Sequence, residues 1–125
     1  MSWHNHYQTQ QKLPNLASAK VVITTTECSF DCFQPCLTII PGGTVTWFNL
    51  DYNVHMITNG NPDNKPAGLF SGVVEPGQKF SYFFDRMGVY PYFDNLHPWM
   101  MGVVIVGALD SDYVHEQKLF FSSYC

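Results

Sequence analysis

Charge is scarce in this sequence. Only 13% of its 125 residues are charged, no run of basic residues occurs, and the formal net charge is −4. Without a basic patch, nucleic acid and anionic membrane surfaces make poor partners. No apolar stretch approaches the roughly 20 residues that a membrane-spanning helix needs, so no span is expected. The opening Met1-Ser-Trp-His lacks the apolar core of a secretory leader. The four cysteines show neither CxxC nor zinc-finger spacing, which removes the usual sequence grounds for structural zinc. No amphipathic helical period, internal repeat or interdomain linker stands out, and the length suits one domain.

Aromatic residues, by contrast, make up 16% of the chain, enough for a substantial core and against disorder. Short β-branched and aromatic runs recur between Gly/Pro turns: Lys20–Thr26, Leu37–Ile40, Thr44–Asn49, Val54–Thr58, Lys79–Phe84, Val89–Phe93 and Gly102–Val106. Pro41-Gly-Gly43 and Glu75-Pro-Gly77 are turn chemistry, and residues 60–68 read as a surface loop. Val45 and Trp47 share a face at period two, which sends Trp47 into the core. Six or seven such strands indicate an all-β, antiparallel β-sandwich. Residues 1–19 read as a loose arm and residues 107–125 as a C-terminal extension, with Leu119-Phe-Phe121 packing back onto the body.

Cys28, Cys32, Cys36 and Cys125 are expected to form disulfides, hence an oxidising, extracytoplasmic compartment, the alternative being free buried thiols. Pairing stays open among three connectivities, of which Cys28–Cys32 with Cys36–Cys125 is one. At the other end, removal of Met1 exposes Ser2-Trp3-His4, whose amine, amides and imidazole suit square-planar Cu(II) or Ni(II). The plainer reading of that segment is a frayed tail.

The stretch from Gly88 to Gly102 carries the chemistry. It places Asp94, His97 and Met100 at a spacing of three, in a loop opened by Gly88, closed by Pro98 and anchored by the strand that follows. Three side chains of those types are candidate metal ligands, and His55 is the candidate for the missing one. Met100 and the adjacent Met101 point opposite ways if extended, so Met101 is expected to fill the core.

The order Trp47-Phe-Asn, then His55, a Gly/Pro loop, Gly88-x-Tyr90-x-Tyr92, and His97-Pro-Trp-Met100-x-Gly-x-Val resembles the cupredoxins. It is most similar to the small plastocyanin/amicyanin-like copper proteins, over residues 20–106. The resemblance implies a Greek-key sandwich with copper near one end, held by an upstream His, a Cys, a second His and a weak axial Met. His55, His97 and Met100 match; Asp94 stands where the family has Cys. A hard carboxylate in place of a thiolate implies a weakly coloured Cu(II) centre of lower reduction potential. Met56 stands where the family has a polar residue, so a side-chain bridge between ligand segments is lost while its backbone N–H still faces them. Pro98 and Trp99 correspond to the apolar patch on which a redox partner docks.

Three functions are therefore expected to compete. The first is a copper-binding cupredoxin with a His55/Asp94/His97 (Met100) site, in electron transfer or extracytoplasmic copper handling. The second is a degenerate, metal-free module that binds a partner. The third is a 2-His-1-carboxylate metal enzyme, although no general base or substrate pocket is evident.

Overall fold

A computed structural model describes residues 17–25, 36–63, 68–123 and 125. The Ser2-Trp3-His4 segment, Cys28 and Cys32 lie outside them. Eight strands and one helix follow in order: β1 (Ser18–Ile23), β2 (Cys36–Ile39), β3 (Gly43–Asn49), β4 (His55–Asn59), β5 (Ser71–Val74), β6 (Lys79–Phe84), β7 (Gly88–Asp94), β8 (His97–Val106) and α1 (Asp112–Phe120). Strands β1-β3-β6 form one sheet and β2-β8-β7-β4-β5 the other. The all-β sandwich expected from the alternating runs is the architecture found.

The pairing is mixed. Strands β3/β6, β4/β5, β4/β7 and β7/β8 are antiparallel, but β1/β3 and β2/β8 are parallel. The cause is connectivity. Successive strands β1, β2 and β3 alternate between the two sheets, so β3 returns beside β1 by a crossover, which is how parallel neighbours are joined.

Inward residues of both sheets make one core. Val21, Ile23, Val45, Trp47 and Phe84 come from the first sheet, and Ile39, Ile57, Val74, Tyr92, Val104 and Val106 from the second. Along β3 burial alternates strictly, and the inward face reads Gly43, Val45, Trp47, Asn49. Trp47 lies in the core as its period-two partner Val45 implied. Its indole meets Phe70, Phe80 and Tyr92, the last edge-on at 5.1 Å. Two glycines are set by close approach. A Cβ on Gly102 would lie 2.5 Å from the Tyr92 ring, and one on Gly72 would lie 2.2 Å from Phe80.

Several expectations need correction. β5 was not among the expected strands, because Ser71-Gly-Val-Val74 is short and half of it is Ser and Gly. A helix that the sequence did not announce spans Asp112–Phe120 (α1), capped by Ser111, whose Oγ accepts the Val114 N–H at 3.2 Å. Val114 is the one buried residue of that helix, against Val103 and Ile105 on the outer face of β8. One buried side chain makes no periodic stripe, which hid the helix in the sequence. Leu119 and Phe120 do not pack back; they are 71% and 79% exposed.

Cys36 and Cys125 form a disulfide that ties the end of the chain to β2. That pair occurs in one of the three open connectivities.

Candidate metal centre

The β7–β8 hairpin builds one side of the site. Asp94 pairs with His97 across the two-residue turn Asn95-Leu96. The next pair is Phe93 with Met101, so Pro98, Trp99 and Met100 form a bulge on β8 opposite no residue of β7. The turn expected to open at Gly88 and close at Pro98 is thus corrected to a tight turn at Asn95-Leu96 plus a bulge on β8. Paired aromatic and β-branched residues on both sides extend the ladder almost to the tip. The bulge sends Pro98 and Trp99 outward and Met100 into the core.

β4 supplies the other side. It pairs with β7 through Ile57↔Asp94, and Asn95 N–H donates to the Met56 carbonyl at 2.8 Å. In return Met56 N–H donates to Asp94 Oδ1 at 3.0 Å, so that N–H does face the ligand segment. Leu96 N–H donates to the same Oδ1 at 2.9 Å. One oxygen of this fully buried carboxylate is therefore committed to backbone. The other, Oδ2, lies against Nδ1 of both His55 and His97, at 2.9 Å from His97. The two rings sit 4.9 Å apart between centroids.

Residues separated by 39 positions in the chain thus converge. One donor atom from each of His55, Asp94 and His97 lies within 4.8 Å of the others. A first-row metal with bonds of about 2.0–2.2 Å sets neighbouring donors roughly 3–4 Å apart, so the cluster is of the right size. The donor types fit as well: two imidazole nitrogens and one carboxylate oxygen suit Cu(II), Zn(II) or Fe(II). His55 is fully buried, whereas the His97 side chain keeps 19% of its surface. Trp99 stands edge-on to that ring at 5.3 Å and is itself 54% exposed.

Met100, the fourth expected ligand, is buried in the apolar cluster that includes Trp47, Ile57 and Val74. The expectation for its neighbour is corrected: Met101 is only half-buried and belongs to neither core cluster. The bulge inverts the simple alternation on which that reading rested.

Two residues of the centre went unnoticed in the sequence. Asp51 Oδ2 lies 2.8 Å from His55 Nε2, so both nitrogens of that ring face carboxylates. Asp51 is 7% exposed. Burial works against its charged form, but the His55 ring, the Tyr52 N–H and the Asn53 amide outweigh this and hold its carboxyl below the ordinary value. Asn49, the last inward residue of β3, fixes the turn that carries Asp51. Its Oδ1 accepts the Asp51 N–H at 2.9 Å, and its Nδ2 donates to the Asn53 and Val74 carbonyls at 2.7 and 2.9 Å. The available sequence cue was the turn-rich run Asn49-Leu-Asp-Tyr-Asn53, with an acid four residues before His55.

No protein-family model matches the chain. Amicyanin of Paracoccus denitrificans is 29% identical over 94 residues, which cover 73% of this chain and 68% of the relative. Among solved structures, a Cu(I) form of an amicyanin variant superposes with a TM-score of 0.58 at 25% identity, covering 77% of this chain and 87% of the other. A purple cupredoxin from Nitrosopumilus maritimus superposes with a TM-score of 0.65 at 32% identity, over 71% of this chain and 99% of that one. With sequence identity running through the whole of that solved domain, and the same sandwich beneath it, this chain belongs to the cupredoxin family.

Proposed function

We propose that the protein binds copper in a thiolate-free centre, which His55, Asp94 and His97 would hold, with Met100 as a weaker fourth ligand. The observation that carries this reading is the division of labour within Asp94. Backbone N–H groups saturate Oδ1, while Oδ2 is presented to the same point as two imidazole nitrogens. An aspartate that merely capped a turn would have no need of two histidines at its second oxygen.

Copper supplies one-electron chemistry in such a site. The protein's own contribution is to fix two nitrogens and one hard oxygen, which favours the divalent state and lowers the reduction potential relative to a thiolate site. The exposed edge of His97, flanked by Pro98 and Trp99, is the path to a redox partner. Electron transfer or copper handling outside the cytoplasm is the corresponding role. The Cys36–Cys125 disulfide agrees with an oxidising compartment, and no described helix is long and apolar enough to cross a membrane.

A second reading is a metal-free binding module. It is favoured by the closure of the hydrogen-bond network, in which Asp51, His55, Asp94 and His97 already partner one another. Copper EPR on protein prepared in copper-supplemented medium separates the two. A wide hyperfine splitting of oxygen and nitrogen ligation is expected; metal no higher than background would leave the module, and one iron or zinc per chain would point to an enzyme. Asp94→Cys is expected to develop an intense visible band when copper is added. If that variant takes up copper and stays colourless, Asp94 is not in the ligand shell.

A further inference from the structure

We propose that Asp51 is the positioning residue of this centre: its buried carboxylate holds His55 by Nε2 and so turns Nδ1 toward Asp94 and His97, where a cation would sit, and its charge matches the site to a divalent ion. This inference rests on the His55/Asp94/His97 reading and extends it to a residue outside the ligand set.

The geometry is specific. An imidazole presents its two nitrogens in opposite roles, and the partner of one decides the role of the other. Asp51 Oδ2 lies 2.8 Å from Nε2, which turns Nδ1 toward Asp94 and His97; once a cation takes the Nδ1 lone pair, the ring's proton has only Nε2 left, where Asp51 accepts it. The carboxylate itself is immobilised. Tyr52 N–H donates to its Oδ1 at 2.8 Å, and Asn49 accepts the Asp51 N–H. His55 is fully buried and is held at both edges, whereas Asp94 is the one carboxylate partner of the His97 ring among the described residues. The two imidazoles thus have different tasks: one is fixed from behind, and the other stays partly open to solvent.

Charge gives the second half of the argument. Asp94 and Asp51 bring two formal negative charges to two neutral imidazoles. A divalent cation makes that buried group neutral; a monovalent one leaves an excess negative charge where charge is costly. Asp51 therefore discriminates against Cu(I), in the same direction as the hard oxygen of Asp94.

Asp51→Asn keeps the shape and removes the charge. In competition titrations of the apoprotein with Zn(II), which is redox-silent, the variant is expected to bind about 10–100-fold more weakly, as when other partners of metal-bound histidines are lost. For copper, the Cu(II)/Cu(I) affinity ratio is expected to fall at least tenfold, which raises the potential by about 59 mV or more for one electron. A purely structural role for Asp51 would weaken both oxidation states alike and leave the potential unmoved. The parent protein gives a measurement that no folding defect can blur. In 15N-histidine NMR of the Zn(II) form, His55 is expected as the Nε2–H tautomer with a slowly exchanging proton.

The outcomes divide cleanly. Equal Zn(II) affinity and equal potential in parent and Asp51→Asn overturn the role of Asp51 while leaving the ligand set intact; a His55 protonated on Nδ1 in the Zn(II) form takes that nitrogen out of the ligand set, and the role of Asp51 falls with it. Failure of the parent to bind either Zn(II) or copper overturns the ligand set, and this inference with it.

Discussion

Trp47 and His55 are both fully buried, yet they are held by different physics. Trp47 sits against the rings of Phe70, Phe80 and Tyr92 in the apolar core, where attraction is non-directional and roughly proportional to area removed from water. His55 sits where each polar atom must meet a partner at a set distance and angle, since a buried polar group left alone costs more than the bond returns. The apolar core between the sheets tolerates repacking by residues of similar volume. The polar cluster at the hairpin tip has no such latitude, and its parts come from β3, the following turn, β4, β7 and β8. A region with redundant contacts supports the fold; a region with singular contacts supports the chemistry.

This contrast can be broken by experiment. Trp47→Ala is expected to cost about 3–5 kcal/mol of folding stability in a denaturant titration, the usual range for an aromatic deleted from a core. Copper uptake by the folded fraction should persist; if it is lost while the protein stays folded, core and site are not separable. Asn49→Ala stands at the boundary of the two regions. It strands a buried N–H and two carbonyls and is expected to cost about 1–3 kcal/mol, with a parallel loss of metal affinity because the Asp51 turn loses its anchor.

His97→Ala should show the reverse balance. That ring is partly exposed and makes one hydrogen bond to Asp94, so the apoprotein is expected to lose only about 0.5–1.5 kcal/mol while copper EPR of the oxygen and nitrogen type disappears. A variant that keeps the parent spectrum would remove His97 from the ligand set. The smallest effect appears only in alkali. Burial pushes the Tyr92 hydroxyl well above its ordinary value. The folded state therefore keeps a proton that the unfolded chain releases near pH 10. Its contribution is complete below that pH and is lost as pH rises through the folded value. Tyr92→Phe should make the decline of stability above about pH 10 shallower, as followed by chemical denaturation across pH.

Much of this arrangement was legible in the order of residues. Period-two runs between Gly/Pro turns identified the sandwich and the inward face of Trp47, because strand pleating forces alternation on any half-buried sheet. His55, Asp94, His97 and Met100 stood out as side chains of ligating type at family spacing. The helix did not, since it buries Val114 alone, and β5 did not, since it offers little β-branched surface. Asp51 was overlooked for a more basic reason. An acid in a turn is ordinarily solvated, and only the fold reveals that this one is sealed behind an imidazole.

Alternation, turn chemistry and residue type are local properties, so the chain alone was enough to determine a β-sandwich and to nominate two histidines and an aspartate. What the chain could not determine was aim. That one Asp94 oxygen serves the backbone and the other serves the imidazoles, that a bulge turns Met100 inward and Trp99 outward, and that Asp51 stands behind His55, were decided by tertiary structure. Hydrogen bonds are directional over a few ångströms, and the distances that matter here join residues up to 39 positions apart.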